Sequence, residues 1–417
     1  MISPSCFTPE RVTLFLMLSV GLILPLASVM AQTTDLPTGA AFPNNSGAFV
    51  DSYDQVADTR GLDGVLGYGR GTAFADIDSD GDDDLFVGDT DGRFFGAPYG
   101  MSMIYVNDGS GNFVPGEFNL DPADFHATWV GSFADYDNDG DPDLMVGNGG
   151  YTASSSLVLL ENRINQNQGF VNVTRTAGLD SINHVKLSPT DTNPMGNEGT
   201  LARRQARLNG PAGEEDAGIL PYENTMGLGV GDFYDDGFPD IVIGTGEPEF
   251  VAADIFLCNL GQRRFQRCTD KFIDPDSDHI MTRGHGAAFA DVNRDGFTDF
   301  YFNLGGHPNF DFARKTESRE TNKLFMRQTE ATANAAWLTL SGTNSNPDAI
   351  GARIRYGEGD LARYHYVRST QGFQSQNSMT LVIQLGDQET VPVFIDWPSG
   401  TTTELTIATG EYRNVVE

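Results

Sequence analysis

Basic residues are scarce in this chain: 26 Lys and Arg stand against 58 Asp and Glu, a formal net charge of -32. A surface that negative repels phosphate backbones, which argues against a nucleic-acid partner. Cysteine is scarcer, with three in the chain. Cys6 lies in the N-terminal segment, whereas Cys258 and Cys268 flank the turn Asn259-Leu260-Gly261-Gln262-Arg263. In an oxidising compartment a disulfide between such hairpin partners is favoured over two free thiols. Six His are scattered, at His126, His184, His279, His285, His307 and His365. No HExxH, CxxC, Gly-rich phosphate loop or Ser/His/Asp order accompanies them. Long apolar runs are nearly absent too. One follows Arg11 over residues 12–29, is broken by Pro25 and ends at Val29-Met30-Ala31. It reads as a signal peptide over 1–31, cleaved after Ala31. It is short for a membrane span, so no stable membrane insertion is expected after cleavage, and no cysteine follows it to carry a lipid. A secreted or periplasmic protein is expected.

What remains is ordinary globular composition, 39% hydrophobic and 20% charged, with 48 Gly that suit an all-β protein full of tight turns. The acidic residues are not spread evenly. Four segments repeat one pattern, an apolar strand, an Asp-rich loop and a second apolar strand, over 73–88, 132–147, 229–244 and 288–303. Their first Asp residues fall at 76, 135, 232 and 291, so the outer intervals are equal and the middle one is longer. The excess is a polar insertion over 181–224 that contains Arg203, Arg204 and Arg207. After each loop comes a segment such as Met103-Ile104-Tyr105-Val106-Asn107, then a Gly turn and a strand opening near Phe113. Leu157-Val158-Leu159-Leu160-Glu161-Asn162 with Phe170, and Ile255-Phe256-Leu257-Cys258-Asn259 with Phe265, are equivalent. Four short strands per unit describe a β-propeller blade. The fourth unit has Lys323-Leu324-Phe325-Met326 but no evident last strand, and a strand over Ala48–Val56 is expected to supply it and close the ring.

The loops demand a cation. In the first two, Asp occupies every odd position: Asp76, Asp78, Asp80, Asp82 and Asp84, then Asp135, Asp137, Asp139, Asp141 and Asp143. The fourth has Asp291, Asn293, Asp295 and Asp299; the third has Asp232, Asp236 and Asp240, with Tyr234 where a carboxylate is expected. Asp235 would replace it only if the backbone shifted. Two like charges 4 Å apart repel by about 4 kcal/mol at an effective dielectric near 20, and a divalent ion removes that cost. Hard oxygen donors on a flexible loop favour Ca²⁺ over Mg²⁺. The expected donors are side chains at loop positions 1, 3, 5 and 9 and the carbonyl at 7, with up to four structural Ca²⁺. Affinity should fall from the first and second loops to the fourth and then the third. No position-12 Glu or flanking helices appear, so these are not EF-hands. Six residues before each first Asp stand Arg70, Trp129, Met226 and His285. Fourfold repetition would place them around a central channel, as a possible ligand site.

The Asp loops resemble FG-GAP (VCBS) repeats over about residues 48–330. That resemblance implies calcium held between the first two strands of each blade. A four-bladed ring, an open arc and a longer ring remain alternatives. Residues 331–417 resemble the ASPIC/UnbV domain of cartilage acidic protein-like proteins, in Trp337-Leu338-Thr339-Leu340, Asn344-Ser345-Asn346 with Ala349-Ile350-Gly351-Ala352, Gln371-Gly372-Phe373-Gln374-Ser375-Gln376 and Asp396-Trp397-Pro398-Ser399-Gly400. Its alternating strands suggest a small β-sandwich or barrel. The resemblance implies an extracellular module that binds or adheres to protein or glycan partners, and it supplies no reaction. The alternative is an enzyme with a site at the channel mouth, lyase- or dehydrogenase-like, by fold analogy alone.

Overall fold

The computed structural model describes Arg60, Leu62 and residues 71–89, 102–118, 120–121, 124–125, 128–148, 157–179, 185–186, 219–220, 225–244, 254–268, 284–305, 321–327, 333–372 and 374–417. Among the described residues, all of the regular structure except two short 3-10 turns is β. Each Asp-loop unit forms one antiparallel up-and-down sheet. The first contains β1 (Thr72–Ala75), β2 (Asp84–Val87), β3 (Met103–Asn107) and β4 (Phe113–Pro115), hydrogen-bonded in sequence order. The second repeats this with β5 (Thr128–Ala134), β6 (Asp143–Asn148), β7 (Leu157–Arg163) and β8 (Gly169–Asn172). Within the polar insertion, β9 (Val185–Lys186) pairs with β10 (Ile219–Leu220). The third sheet holds β11 (Gly227–Gly231), β12 (Asp240–Gly244), β13 (Ile255–Asn259) and β14 (Phe265–Arg267). The fourth has three described strands, β15 (Gly284–Ala290), β16 (Asp299–Leu304) and β17 (Lys323–Phe325).

The sheets stack face to face as propeller blades do, their first strands side by side in the order β1, β5, β11, β15. Glycine makes that approach possible: a Cβ on Gly227 of β11 would lie 1.6 Å from the carbonyl oxygen of His285 on β15. Core clusters fill the spaces between neighbouring sheets. Phe133 of β5 packs with Phe86 and Ile104 of the first sheet, and Phe289 of β15 with Phe233 and Phe256 of the third. Phe74 is the counterpart on β1 and is 55% exposed, with no preceding sheet among the described residues to cover it. The strand expected over Ala48–Val56 lies outside the described residues. Arg60 nevertheless accepts a hydrogen bond from Phe113 N (2.7 Å) as Ala177, after the second sheet, accepts one from Phe265 N of the third (2.9 Å). Arg60 thus meets the first sheet as Ala177 meets the third.

Cys258 and Cys268 form the disulfide that joins β13 to the end of β14. The C-terminal region is a sandwich of seven strands. One sheet, in the order β21 (Leu381–Gln384), β18 (Ala335–Ser341), β24 (Tyr412–Val416), packs on another ordered β20 (Arg363–Tyr366), β19 (Arg353–Tyr356), β22 (Thr390–Asp396), β23 (Thr402–Ala408). Strict alternation along β22, with Val391, Val393 and Ile395 buried, places one face in the shared core with Leu338, Ile354 and Ile407. Residues 56–417 form one compact unit.

The contact between sandwich and blades is more intimate than simple packing. The segment between β20 and β21 runs along the free edges of first strands: Asn377 Nδ2 donates to Val230 O (2.8 Å), Phe289 N donates to Asn377 Oδ1 (3.2 Å) and Ser378 N to Phe289 O (2.8 Å). Replacing Asn377 by Ala strands buried backbone groups and should lower unfolding free energy by about 1–3 kcal/mol, read by urea denaturation.

Candidate metal centres

All four Asp loops have one backbone design. Position 4 is left-handed in each, at Ser79, Asn138, Asp235 and Arg294, with φ of 58–62°. Position 6 is a Gly with φ between 84° and 99°, which an L side chain rarely adopts. The tight turn lets the first carboxylate accept two amides of its own loop: Asp76 from Asp80 N and Gly81 N, Asp135 from Asp139 N and Gly140 N, Asp232 from Asp236 N and Gly237 N, Asp291 from Asp295 N and Gly296 N. The ninth residue opens the second strand and is fully buried. One oxygen of Asp84, Asp143, Asp240 and Asp299 accepts from the position-2 amide, and the other from Asn107, Asn162, Asn259 or Arg327 N at the end of the third strand.

The side chains of two of those asparagines bind sheets together. Asn162 Nδ2 donates to Ile77 O of the preceding loop, and Asn259 Nδ2 to Tyr136 O, both at 2.7 Å. The second and third blades therefore each grip position 2 of the preceding loop. The signal was visible as an Asn closing each third strand of the first three units, although nothing in spacing alone gave it this role.

Positions 1, 3 and 9 converge in two loops. Asp76, Asp78 and Asp84 each bring a carboxylate oxygen within 4.8 Å of the others, as do Asp135, Asp137 and Asp143. Position 5 sits differently. Asp80, Asp139, Asp236 and Asp295 each accept the position-7 amide at 3.0–3.2 Å. In the third loop Asp235 does not replace the missing carboxylate. Its Oδ1 accepts Thr298 N (2.8 Å) and its Oδ2 pairs with Arg327 Nη1 (2.6 Å), so it faces the fourth sheet. Asn293 of the fourth loop hydrogen-bonds Asp295 Oδ2 through Nδ2 (2.9 Å). Of the suggested channel residues, Trp129 and His285 lie half-buried on β5 and β15 and Met226 directly precedes β11; Arg70 is outside the described residues.

Electrostatics mark the clusters as frustrated without a cation. Burial, aided by neighbouring carboxylates, pushes Asp76 up to about 6, Asp84 to about 7, Asp135 to about 8 and Asp137 to about 7, and drives Asp143 well above the usual range. Asp232 is likewise raised to about 8 by burial, then by Asp235 and Asp236. Asp78 Oδ1 and Asp82 Oδ1 are buried acceptors with no hydrogen-bond donor. Oxygen-only donors, orphaned lone pairs and repulsion in the first two loops fit a hard divalent ion. Asp76, Asp78 and Asp84 would hold one ion, and Asp135, Asp137 and Asp143 another.

The C-terminal sandwich lies across three of the loops. Tyr366 OH donates to Gly140 O (2.6 Å) and Tyr364 N to Asn138 Oδ1 (3.1 Å) in the second. Arg363 stacks on Phe238 of the third (4.3 Å to the ring centre). Trp337 Nε1 donates to Asp291 Oδ2 (2.8 Å) and Gln384 Nε2 to Gly296 O (2.7 Å) in the fourth. Beside Gly81 of the first loop there is open space.

Family comparisons agree with both modules. Residues 76–146 match the model described as FG-GAP-like repeat and residues 127–171 the FG-GAP repeat, while residues 342–416 match ASPIC and UnbV. Among curated proteins, none matches the chain.

The raised carboxyls give a signed pH dependence. They hold protons in the folded, cation-free state that the unfolded chain loses near pH 4, so their contribution is full below that and lost as pH rises through about 6 to 8. The chelator-treated protein should therefore melt at progressively lower temperature between pH 5.5 and 8, and saturating calcium should flatten that slope. Scanning calorimetry at several pH values checks both.

Proposed function

We propose that this FG-GAP repeat chain with its C-terminal ASPIC/UnbV domain is an exported, calcium-loaded binding module that presents blade loops to protein or glycan partners outside the cell. The observation that carries the calcium part is the convergence of three carboxylates in each of the first two loops, within 4.8 Å, on a shared backbone design. Calcium there is structural. It neutralises carboxylates that burial has made costly to ionise, and it fixes the turn joining the first two strands of a blade. An ion that binds only the folded chain stabilises it by about 2.7 kcal/mol at a hundred times its dissociation constant.

The binding role is supported by the family resemblance and by a surface strongly negative overall, which suits calcium-bridged or basic partners better than polyanions. Export is supported by the apolar segment after Arg11 and by the disulfide, which persists in oxidising compartments. Among the described residues no helix is long and apolar enough to cross a membrane.

Calorimetric titration with calcium should reveal tight sites at the first two loops. Asp78→Asn and Asp137→Asn should each remove one ion and abolish that ion's share of the calcium-dependent rise in melting temperature. Glycan-array and cell-surface capture should be lost in chelator and recovered with calcium. Unchanged ion uptake in both variants would overturn the calcium reading, and capture indifferent to chelator would overturn its link to binding.

A further inference from the structure

Among the described residues, the second loop alone of the first two is met by an arginine ion pair. Arg263, in the turn between β13 and β14 of the third sheet, reaches across the blade boundary into it. Its Nε lies 2.9 Å from Asp137 Oδ2, its Nη2 3.5 Å from Asp139 Oδ2 and its Nη1 2.7 Å from Glu161 Oε1. The pocket around this guanidinium is built. The Asp137 and Glu161 side chains are 2% and 1% exposed, against 47% for Arg263. Glu161 is held by Tyr136 OH (2.8 Å) and Arg163 Nε (2.7 Å). The turn is rigid as well: Gln262 and Arg263 are both left-handed, Leu260 N and Arg264 O close it, and the Cys258–Cys268 disulfide ties the strands at its base.

Asp137 is also one of the three carboxylates that converge in this loop. A guanidinium and a divalent ion draw on the same oxygen charge. In the first loop the position of Glu161 is taken by Val106, and no ion pair reaches Asp76, Asp78 or Asp84 among the described residues. The acidic residue that seats the arginine and the arginine itself belong to the second loop alone of the two.

We propose that Arg263 is a tethered competitor and affinity-setting residue for the cation of the second loop: it neutralises Asp137 and Asp139 when no ion is bound, and an ion must displace or share that contact. The two loops with full sets of Asp then differ in affinity, the second being the weaker. Occupancy of the second loop is also felt by the third blade, because the turn that carries Arg263 belongs to it. This inference rests on the second loop being a cation site.

The test is calcium titration of the purified protein, assigning the second loop's binding step as the one lost in Asp137→Asn and the first loop's as the one lost in Asp78→Asn. Arg263→Gln should tighten the second step by about three- to tenfold, as expected for removing one half-exposed competing charge, and leave the first unchanged. The same variant should melt at lower temperature than the parent when metal-free, because the carboxylates lose their internal counter-ion. Arg263→Lys, which keeps the charge without the fork, should fall between the two and covers the case in which the Gln variant does not fold. A second step that is unchanged or weaker in a folded Arg263 variant overturns the proposal while leaving the site intact. If Asp137→Asn removes no step, the cation reading of the second loop fails, and the inference with it.

Discussion

Carboxylate crowding is the constraint around which the blades are organised. Each loop buries a ninth-position Asp completely, and the first two loops bring their first-, third- and ninth-position carboxylates within 4.8 Å of one another. An isolated buried carboxylate is among the costliest groups in a protein interior. The fold meets part of the cost with backbone amides, two for each first and ninth carboxylate in every loop, so that these positions are locked before any ion is considered. The third position is less well served: Asp78 Oδ1 has no donor among the described residues, and Asp137 has one amide, Asp139 N at 3.3 Å, with Arg263 beside its other oxygen. Ion demand thus falls more on the third position than on the first and ninth.

The same arrangement explains which parts were legible in the sequence. The loops, the strand order and the C-terminal sandwich follow from strong local periodicity: Asp at odd positions, Gly at the sixth, aromatic and β-branched runs on either side. The Cys258–Cys268 disulfide followed from a hairpin offset that register alone sets. The roles of Asn162 and Asn259 were hidden because their partners, Ile77 O and Tyr136 O, are backbone carbonyls 85 and 123 residues away, and a carbonyl leaves no trace in a residue pattern. Asp235 was misleading for a related reason. Its proximity to the loop suggested a spare ligand, but the left-handed fourth position turns its side chain outward to Thr298 and Arg327 of the next unit.

Arg327 shows how a unit can depart from its repeat without losing the design. It stands where the other units have Asn, and its backbone amide still satisfies Asp299 at 3.2 Å. Its side chain, longer and charged, reaches backward to the third loop and packs over Phe297 (4.5 Å to the ring centre). The loop with Tyr234 at position 3 therefore has an arginine on its flank, paired with Asp235. Substitutions that look like decay of the motif have compensating partners in the adjacent blade.

The C-terminal sandwich turns these loops from blade connections into an interface. Its contacts go to loop backbone at Gly140 O and Gly296 O and to the side chains of Asn138, Phe238 and Asp291, so docking reads both the turn and its residues. At the second and fourth loops the sandwich bonds to the same turns whose amides hold the first carboxylates. The first loop has open space beside Gly81, and among the described residues no hydrogen bond from the sandwich reaches it.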